Sequence, residues 1–591
     1  LITVKKTTIF SPMMRRTFPS PDALKRFPFG IADVAVILGC LILIALVAHI
    51  GAGANVRFVP PDTGIEIDLS PTALPYYAGR STLRMFIALF FSFVFTLIYG
   101  YIAANSPRAE KVMIPLLDIL QSVPVLGFLS ITVTAFIALF PGNLMGLEAA
   151  SIFAIFTSQV WNMTFSFYQS LRTIPRELDE ATRLYQLSRW ARFINLEVPS
   201  SAIGLLWNAM MSFGGGWFFV AESEAISVLN QEYTLPGIGS YVAKAIAQED
   251  LAALGYAVLT MAVVIIAVDQ LFWRPLIAWA DKFRMEQSAA AEVPKSWLLN
   301  ILKAARIPRY IAQVATPLTD GINFGMSKLM PARQPKETDP LLEKLIDQVY
   351  NFVLLLISGG LVALGLNFVL STVGIWEVVK VFGLGMITFL RVAVMVVVST
   401  LIWTPVGVAI GFNPRLAPLV QPVVQFLASF PANFAFPFAT VFFIKTGISI
   451  EFGSLFLMSL GAQWYILFNA IAGASSIPND LREMAANVGL KGWQLWKKLI
   501  IPGISSALVT GGIAASGGAW NASIVSEVVF WGDRRLAATG LGEYIAEATN
   551  TGDWAKITLG IGMMSLYVVV LNRLIWRQLY QLTETKYRPT M

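Results

Sequence analysis

The residues of this chain with the clearest chemical potential come in pairs. Glu180 is followed by Ala181 and, nineteen positions on, by Pro199; Glu483 is followed by Ala485, Ala486 and Gly489 and, again nineteen on, by Pro502. Arg84 and Arg391, Trp217 and Trp520, and Glu224 and Glu527 are paired in the same way, as are Gly237-Ile238-Gly239 and Gly540-Leu541-Gly542. A carboxylate in the first turn of a short helix is either held by the helix dipole or offered to a basic group or helix end on a partner. Neither use is bond-making chemistry. The one histidine, His49, and the one cysteine, Cys40, share an apolar run and leave no cluster of metal-ligand spacing. No Gly-Lys-Ser or Gly-Lys-Thr string occurs, so the chain has no phosphate loop with which to bind and hydrolyse ATP.

The pairing extends along the whole chain. From Ile174 to Asp250 each matched residue recurs 303 positions later; from Arg84 to Pro124 the offset is 307, so one four-residue deletion separates two copies. A repeat of about 300 residues is far longer than any solenoid unit. It reads as two fused domains facing each other across a pseudo-two-fold axis. With 56% of residues hydrophobic and 13% charged, against about 25% charged in an average soluble domain, the bilayer must be the solvent. The net charge of +7 offers no soluble basic face for nucleic acid and is read through topology.

Runs of about twenty apolar residues fall near 31–50, 81–104, 112–139, 148–171, 201–222 and 252–275, and again near 349–371, 386–411, 416–444, 452–474, 505–530 and 555–577. The loop 172–200 carries five arginines, whereas 223–251 holds Glu224, Glu232, Glu249 and Asp250 against Lys244. By the positive-inside rule the first loop is cytoplasmic and the second external. The expected architecture is an all-α polytopic membrane protein of about twelve transmembrane helices, as two tandem six-helix halves with both termini cytoplasmic. Residues 1–30 form a cytoplasmic tail without the apolar core of a signal peptide. The first half covers 31–280, a cytoplasmic linker 281–348, the second half 349–580 and a tail 581–591. The linker segment 296–310 reads equally as a surface amphipathic helix or a plain tether.

The loops between the fourth and fifth spans are the most alike parts of the copies. Each reads as two short helices, with Asn479 or Asp480 capping the first and Gly489 ending it in a left-handed turn. Trp493, Trp496, Leu499 and Ile500 give the second helix an apolar stripe. These loops resemble the EAA loop of importer permeases of the ATP-binding-cassette class, type I. The paired arginines, the third spans with Ser122 and Pro124 or Ser429 and Pro431, the Trp–Glu ends of the fifth spans and the following Gly-x-Gly are similar to its nitrate/taurine/sulfonate/bicarbonate branch. The resemblance covers about 80–275 and 387–577. It implies a permease in a bacterial-type inner membrane, forming the path for a small anion. It further implies two copies of a separate cytoplasmic ATPase carrying ATP and Mg and docking on these loops, and a substrate-binding protein at the outer face. Glu180, Ala181, Gln186, Pro199, Glu483, Ala485, Ala486, Gly489 and Pro502 are then the coupling residues. A twelve-span carrier driven by an ion gradient is the alternative, but it has no use for paired cytoplasmic loops.

For the path, intramembrane polar groups are the candidates, because they are costly in lipid. Arg84 and Arg391 either snorkel to the interface or contact the anion. Trp217 and Trp520 are gate plugs or interfacial anchors. Ser122, Pro124, Glu224, Ser429, Pro431 and Glu527 are further candidates, as are Asp118, Gln121, Gln159, Gln425 and Gln463, and the glycines at 214–216 and 517–518 suit close helix packing. Gln186 stands where the second copy has Gly489. A side chain there predicts a different backbone angle in the first loop.

Overall fold

The structure is a computed structural model and describes residues 31–52, 66–123, 125–228, 231–283, 296–332 and 340–586. Each expected span is helical. In the first copy spans one and two are Ile31–Ala52 and Leu74–Asn105, and spans four and five are Met145–Arg172 and Val198–Glu224. Span six is Leu251–Val268, prolonged through a π-turn to Ala280. In the second copy spans one and two are Pro340–Thr372 and Ile375–Gly411, spans four and five are Ile450–Ser475 and Ile501–Ser526, and span six begins with Trp554–Leu571. Among the described residues, eight helices are long and apolar enough to cross a bilayer.

The third spans depart from the expectation of one continuous helix. Pro107–Ser122 and Leu129–Leu139 are separate helices, as are Ala417–Ser429 and Phe436–Thr446. Proline has no N–H and pushes the residue before it out of the helical region. Phe430, before Pro431, is accordingly extended (ψ 129°). Broken backbone inside a membrane needs partners. The first break finds one in the other copy, where Asn521 Oδ1 accepts from Val125 N–H at 3.1 Å.

The expected fifth span of the second copy, 505–530, also runs too far. Its helix ends at Ser526, and Val528–Trp531 pairs with Arg534–Ala537 as an antiparallel hairpin. The first copy carries the same hairpin, Ala225–Val228 with Gln231–Thr234. A β-branched and aromatic run such as Val528-Val529-Phe530-Trp531 satisfies hydropathy while its residue types favour strand. The hairpin turn of the second copy docks on the first copy, where Gly532 N–H donates to Ile246 O at 3.1 Å.

The two copies are interlocked rather than laid side by side. The fifth span of the first copy lies against the broken third span of the second, so closely that a methyl group on Gly214 would overlap Ser429. The linker segment 296–310, read equally as a surface helix or a tether, falls on two helices, Trp297–Ala304 and Ile307–Leu329. Asp33 Oδ1 accepts from the N–H groups of Arg306 (2.6 Å) and Ile307 (3.0 Å), tying the second of these to the first span. The first helix of the second copy starts nine residues before the expected 349, and its Asp347 pairs with Arg108 of the first copy at 2.8 Å.

Candidate functional site

Each loop between spans four and five has the same build. The first loop places Arg176–Leu184 before a short turn, Arg189–Arg192, and a π-turn, Phe193–Glu197; the second places Asn479–Asn487 before Gly492–Leu495 and Trp496–Ile500. Pro199 and Pro502 follow each π-turn as second residues of the fifth spans. Both prolines lie inside unbroken helical runs, Arg189–Glu224 and Gly492–Ser526, where a proline disrupts regular α-bonding, and the π-turn before each is the local irregularity. The helices start differently from the expectation: their N-cap residues are Pro175 and Pro478, with no side-chain capping bond from Asn479 or Asp480.

Glu180 and Glu483 are both exposed, and neither makes a hydrogen bond or ion pair within the described residues. Exposed apolar side chains share the loops with them: Leu178, Leu184 and Tyr185 in the first, Leu481, Met484 and Val488 in the second. Thr182 and Ala485, matched positions, are the buried faces of the two helices, while Ala181 is half-buried and Ala486 exposed. Charged and polar side chains are exposed with them, Arg176, Glu177 and Arg183 in the first loop and Asn479, Asp480 and Asn487 in the second, so each helix offers a mixed polar and apolar face. Trp493, placed in an apolar stripe by its spacing, is exposed instead (72%).

The turn between the helices corrects the expectation of different backbone angles. Gln186 has φ 50° and Gly489 φ 73°, so both are left-handed. The bonding is the same too. Gln186 N–H donates to Arg183 O and Leu187 N–H to Thr182 O; Gly489 N–H donates to Ala486 O and Leu490 N–H to Ala485 O. This is the Schellman arrangement that satisfies the last carbonyls of a helix. The first copy repeats the choice elsewhere, with Glu249 at φ 56° where the second has Gly552 at φ 70°.

What holds the two loops differs. In the first, Arg192 bridges Asp179 (2.5 Å) and Glu197 (3.0 Å), and Arg183 also reaches Asp179 (2.8 Å). At the matched positions the second copy has Arg482, Leu495 and Ile500 in place of Asp179, Arg192 and Glu197. There Ile500 is buried with Ile477 and Ile504, and Arg482 donates to Ala474 O and lies over the Phe412 ring. One geometry is kept by ions in one copy and by packing in the other. The linker adds a second asymmetry, because Trp190 Nε1 donates to Asn323 Oδ1 (2.9 Å) and Arg189 N–H to Met330 O (3.0 Å).

At the opposite ends of the spans, Arg84 and Arg391 are turned inward. This corrects the snorkelling expectation: Arg84 is 2% exposed, and its guanidinium meets Glu148 (2.6 Å) and Glu224 (2.6 Å). Ser81 hydroxyl donates to Glu224 Oε1 (2.6 Å) and accepts from Ile238 N–H, while Gly239 N–H donates to Glu224 Oε2 (2.7 Å). The second copy repeats the knot with Arg391, Glu451, Glu527 and Thr388, and with Gly542 N–H on Glu527 Oε2 (2.7 Å). The Gly-x-Gly pattern has a plain cause here, since a methyl group on Gly237 or Gly540 would overlap the glutamate carboxylate. Each knot thus pins spans two, four and five to the helix after the hairpin. Arg80 also pairs with Glu148, so the first knot sets two arginines against two glutamates. The second has one arginine, with Glu451 at its rim (42% exposed). Sequence reading missed Ser81, Glu148, Thr388 and Glu451. Their 307- and 303-residue offsets were the available signal.

The family described as "binding-protein-dependent transport system inner membrane component" matches residues 96–272 and again 403–584, more than half of the chain. The chain belongs to this family. Among curated relatives, the nitrate import permease protein NrtB of Leptolyngbya laminosa is 27% identical over 122 residues, 21% of this chain and 42% of that protein. The bicarbonate transport system permease protein CmpB of Synechocystis is 25% identical over 171 residues, 29% of this chain and 56% of that protein. NrtB of Synechocystis is 24% identical over 127 residues, 22% of this chain and 43% of that protein. The alignments therefore span only about half the length of these relatives. By family the chain is an inner-membrane component of a binding-protein-dependent transport system.

Within this permease the remaining candidates fall at the seam between copies or in the cores. Ser429 ends its helix against Gly214, and Pro431 is buried in the break. Pro124 lies outside the described residues, and so does the side chain of Ser122. Trp217 packs edge-on against Phe213 and Trp520 stacks on Tyr567, both buried inside their own halves rather than at an interface with lipid headgroups. One seam contact escaped the sequence reading: Asn433 Nδ2 donates to Glu222 Oε1 across the copies at 2.7 Å. Its mirror positions are Leu126 and Val525, so this side-chain pair has no counterpart, the mirror contact being Val125 N–H to Asn521 Oδ1.

Proposed function

We propose that this permease is the membrane subunit of an ATP-driven importer for a small oxyanion, turned so that 176–198 and 479–501 face the cytoplasm. Two ATPase subunits dock there, one on each loop, and a substrate-binding protein delivers solute to the opposite face. The carrying observation is the duplicated face on loops of one geometry, in which Glu180 and Glu483 are exposed and, among the described residues, unpaired, with exposed apolar side chains on the same loops. A bistable pair of halves changes which side it opens to only if force reaches both. The interlocked third and fifth spans give that force a rigid route, since movement of either loop carries the fifth span that leaves it. Oxyanion as the solute class is supported by the nitrate and bicarbonate permeases among the relatives.

The test is purification of the chain from its native membrane, followed by reconstitution. A stoichiometric ATPase should co-purify, and proteoliposomes should take up nitrate, bicarbonate or a sulfonate only with ATP. Uptake that follows an ion gradient without ATP would overturn the reading.

A further inference from the structure

One face of the first copy's fourth span is polar where the bilayer should make it apolar. Asn162, Phe165, Ser166, Gln169, Ser170 and Thr173 recur at steps of three and four, and so lie on one side of the helix. They line a groove of about 280 Å³, closed by Gln121 from the third span and Asn208 from the fifth. Gln121 ends its helix at the break, and Thr173 adjoins the coupling loop, so the groove runs from the break towards that loop. Seven of these eight lining residues are polar and none is charged. Amide and hydroxyl groups at membrane depth face a protein interior or a water-filled cavity, not lipid.

The second copy has lost most of this face. Tyr465, Ala472, Gly473 and Gly511 stand at the positions of Asn162, Gln169, Ser170 and Asn208, and Ala428 at that of Gln121. The one amide kept there, Asn469 at the position of Ser166, gives its nitrogen to Tyr465 O of its own helix (2.8 Å). The Tyr465 hydroxyl reaches Gly215 of the first copy (3.4 Å to a methyl placed there), so the mirror position is filled by a ring. Polarity retained in one copy and lost in the other is not required by the fold, which both share.

The groove's internal bonds leave donors over. Asn162 Oδ1 accepts from Gln121 (3.0 Å), and Asn208 donates to Ser166 Oγ (3.0 Å). Among the described residues the amide nitrogens of Asn162 and Gln169 make no hydrogen bond. Ser170 and Thr173 give their hydroxyl protons to their own helix. Neutral donors suit a passing anion: they replace part of its water without the grip of a buried cation, and a conducting site must bind weakly enough to release.

We propose that this first-copy groove is a solute subsite on the coupling-loop side of the path, where a small oxyanion is held by the amide donors of Asn162 and Gln169. The proposal rests on the oxyanion-import reading.

The test uses the complete transport complex in proteoliposomes, with the native Cys40 replaced by alanine. Gln169→Ala combined with Asn162→Ala removes both amide donors. Nitrate or bicarbonate uptake should fall roughly tenfold, as for loss of one or two hydrogen bonds, while solute-free ATP hydrolysis stays at the parent rate. Gln169→Asn should recover part of the uptake. Separately, Ser166→Cys should be labelled by a soluble thiol reagent and protected by the transported oxyanion but not by sucrose. Undiminished uptake in the double variant, or labelling of Ser166→Cys indifferent to the oxyanion, would overturn the assignment alone. A parent complex that imports no oxyanion would instead overturn the reading beneath it.

Discussion

Replacing Gln186 by glycine should tighten the first coupling loop, although it deletes a side chain. Gln186 sits at φ 50° with the bonding of Gly489 at φ 73°. A side chain in the left-handed region costs about 1–2 kcal/mol. Glycine in its place loses roughly 0.4–1 kcal/mol through the greater freedom of the unfolded chain. The balance favours glycine by roughly 0.5–1 kcal/mol, about a twofold to fivefold shift in the local opening equilibrium. Gly489→Gln should loosen the second loop by a similar factor. A methyl group added at Gly489 meets nothing, so the backbone angle alone is at issue there. The assay is amide exchange at Leu187 and Leu490, whose N–H groups close the two turns on Thr182 O (3.1 Å) and Ala485 O (2.9 Å). Slower exchange at Leu187 in Gln186→Gly and faster exchange at Leu490 in Gly489→Gln are expected. Faster exchange in the first variant would show that the Gln186 side chain stabilises its turn, and the argument from backbone angle would fail.

Arg84→Ala should destabilise the first half by about 3–5 kcal/mol, the range for removing one partner of a buried ion pair, because Glu148 and Glu224 lose a shared cation. Arg391→Ala should do less harm, since Glu451 is already 42% exposed; equal losses in thermal unfolding would contradict this ordering. Gly540→Ala should disrupt the second knot by overlap with Glu527, seen as faster exchange at Gly542 N–H; unchanged exchange would count against the close fit. For topology, cysteines at Tyr185 and Lys491 in a Cys40→Ala background should resist an impermeant reagent in intact cells while one at Gln248 reacts, all three parent residues being exposed. Labelling at the loop positions from outside would reverse the orientation.

The duplicated helical frame was legible because it rests on hydropathy and on offsets of 303 and 307, which survive without any contact being known. Pro124 and Pro431 were visible in the third spans, yet 112–139 and 416–444 each read as one span, since composition does not say whether a partner will satisfy an opened backbone. Asn521 supplies that partner from 396 residues away. The hairpins were hidden for a related reason: Val528-Val529-Phe530-Trp531 has the hydropathy of a span and the length of a strand. Arg84 and Arg391 were singled out as costly in lipid, yet their carboxylate partners come from other spans. Spacing along one helix cannot reveal a pair formed across three. The loops were read most nearly right in shape and least right in detail, where Gln186 shares a backbone angle that sequence alone assigns to glycine.

The claim that both loops receive force from separate ATPases is tested most directly by reversing charge at both docking faces. Glu180→Lys with Glu483→Lys changes two exposed side chains that are unpaired among the described residues, so the membrane fold should keep its thermal stability. ATP-driven uptake by the reconstituted complex is the quantity to measure, with co-purification of the ATPase as its companion. Loss of uptake with weakened ATPase assembly is the result expected; uptake at the parent rate in the double variant would contradict the account.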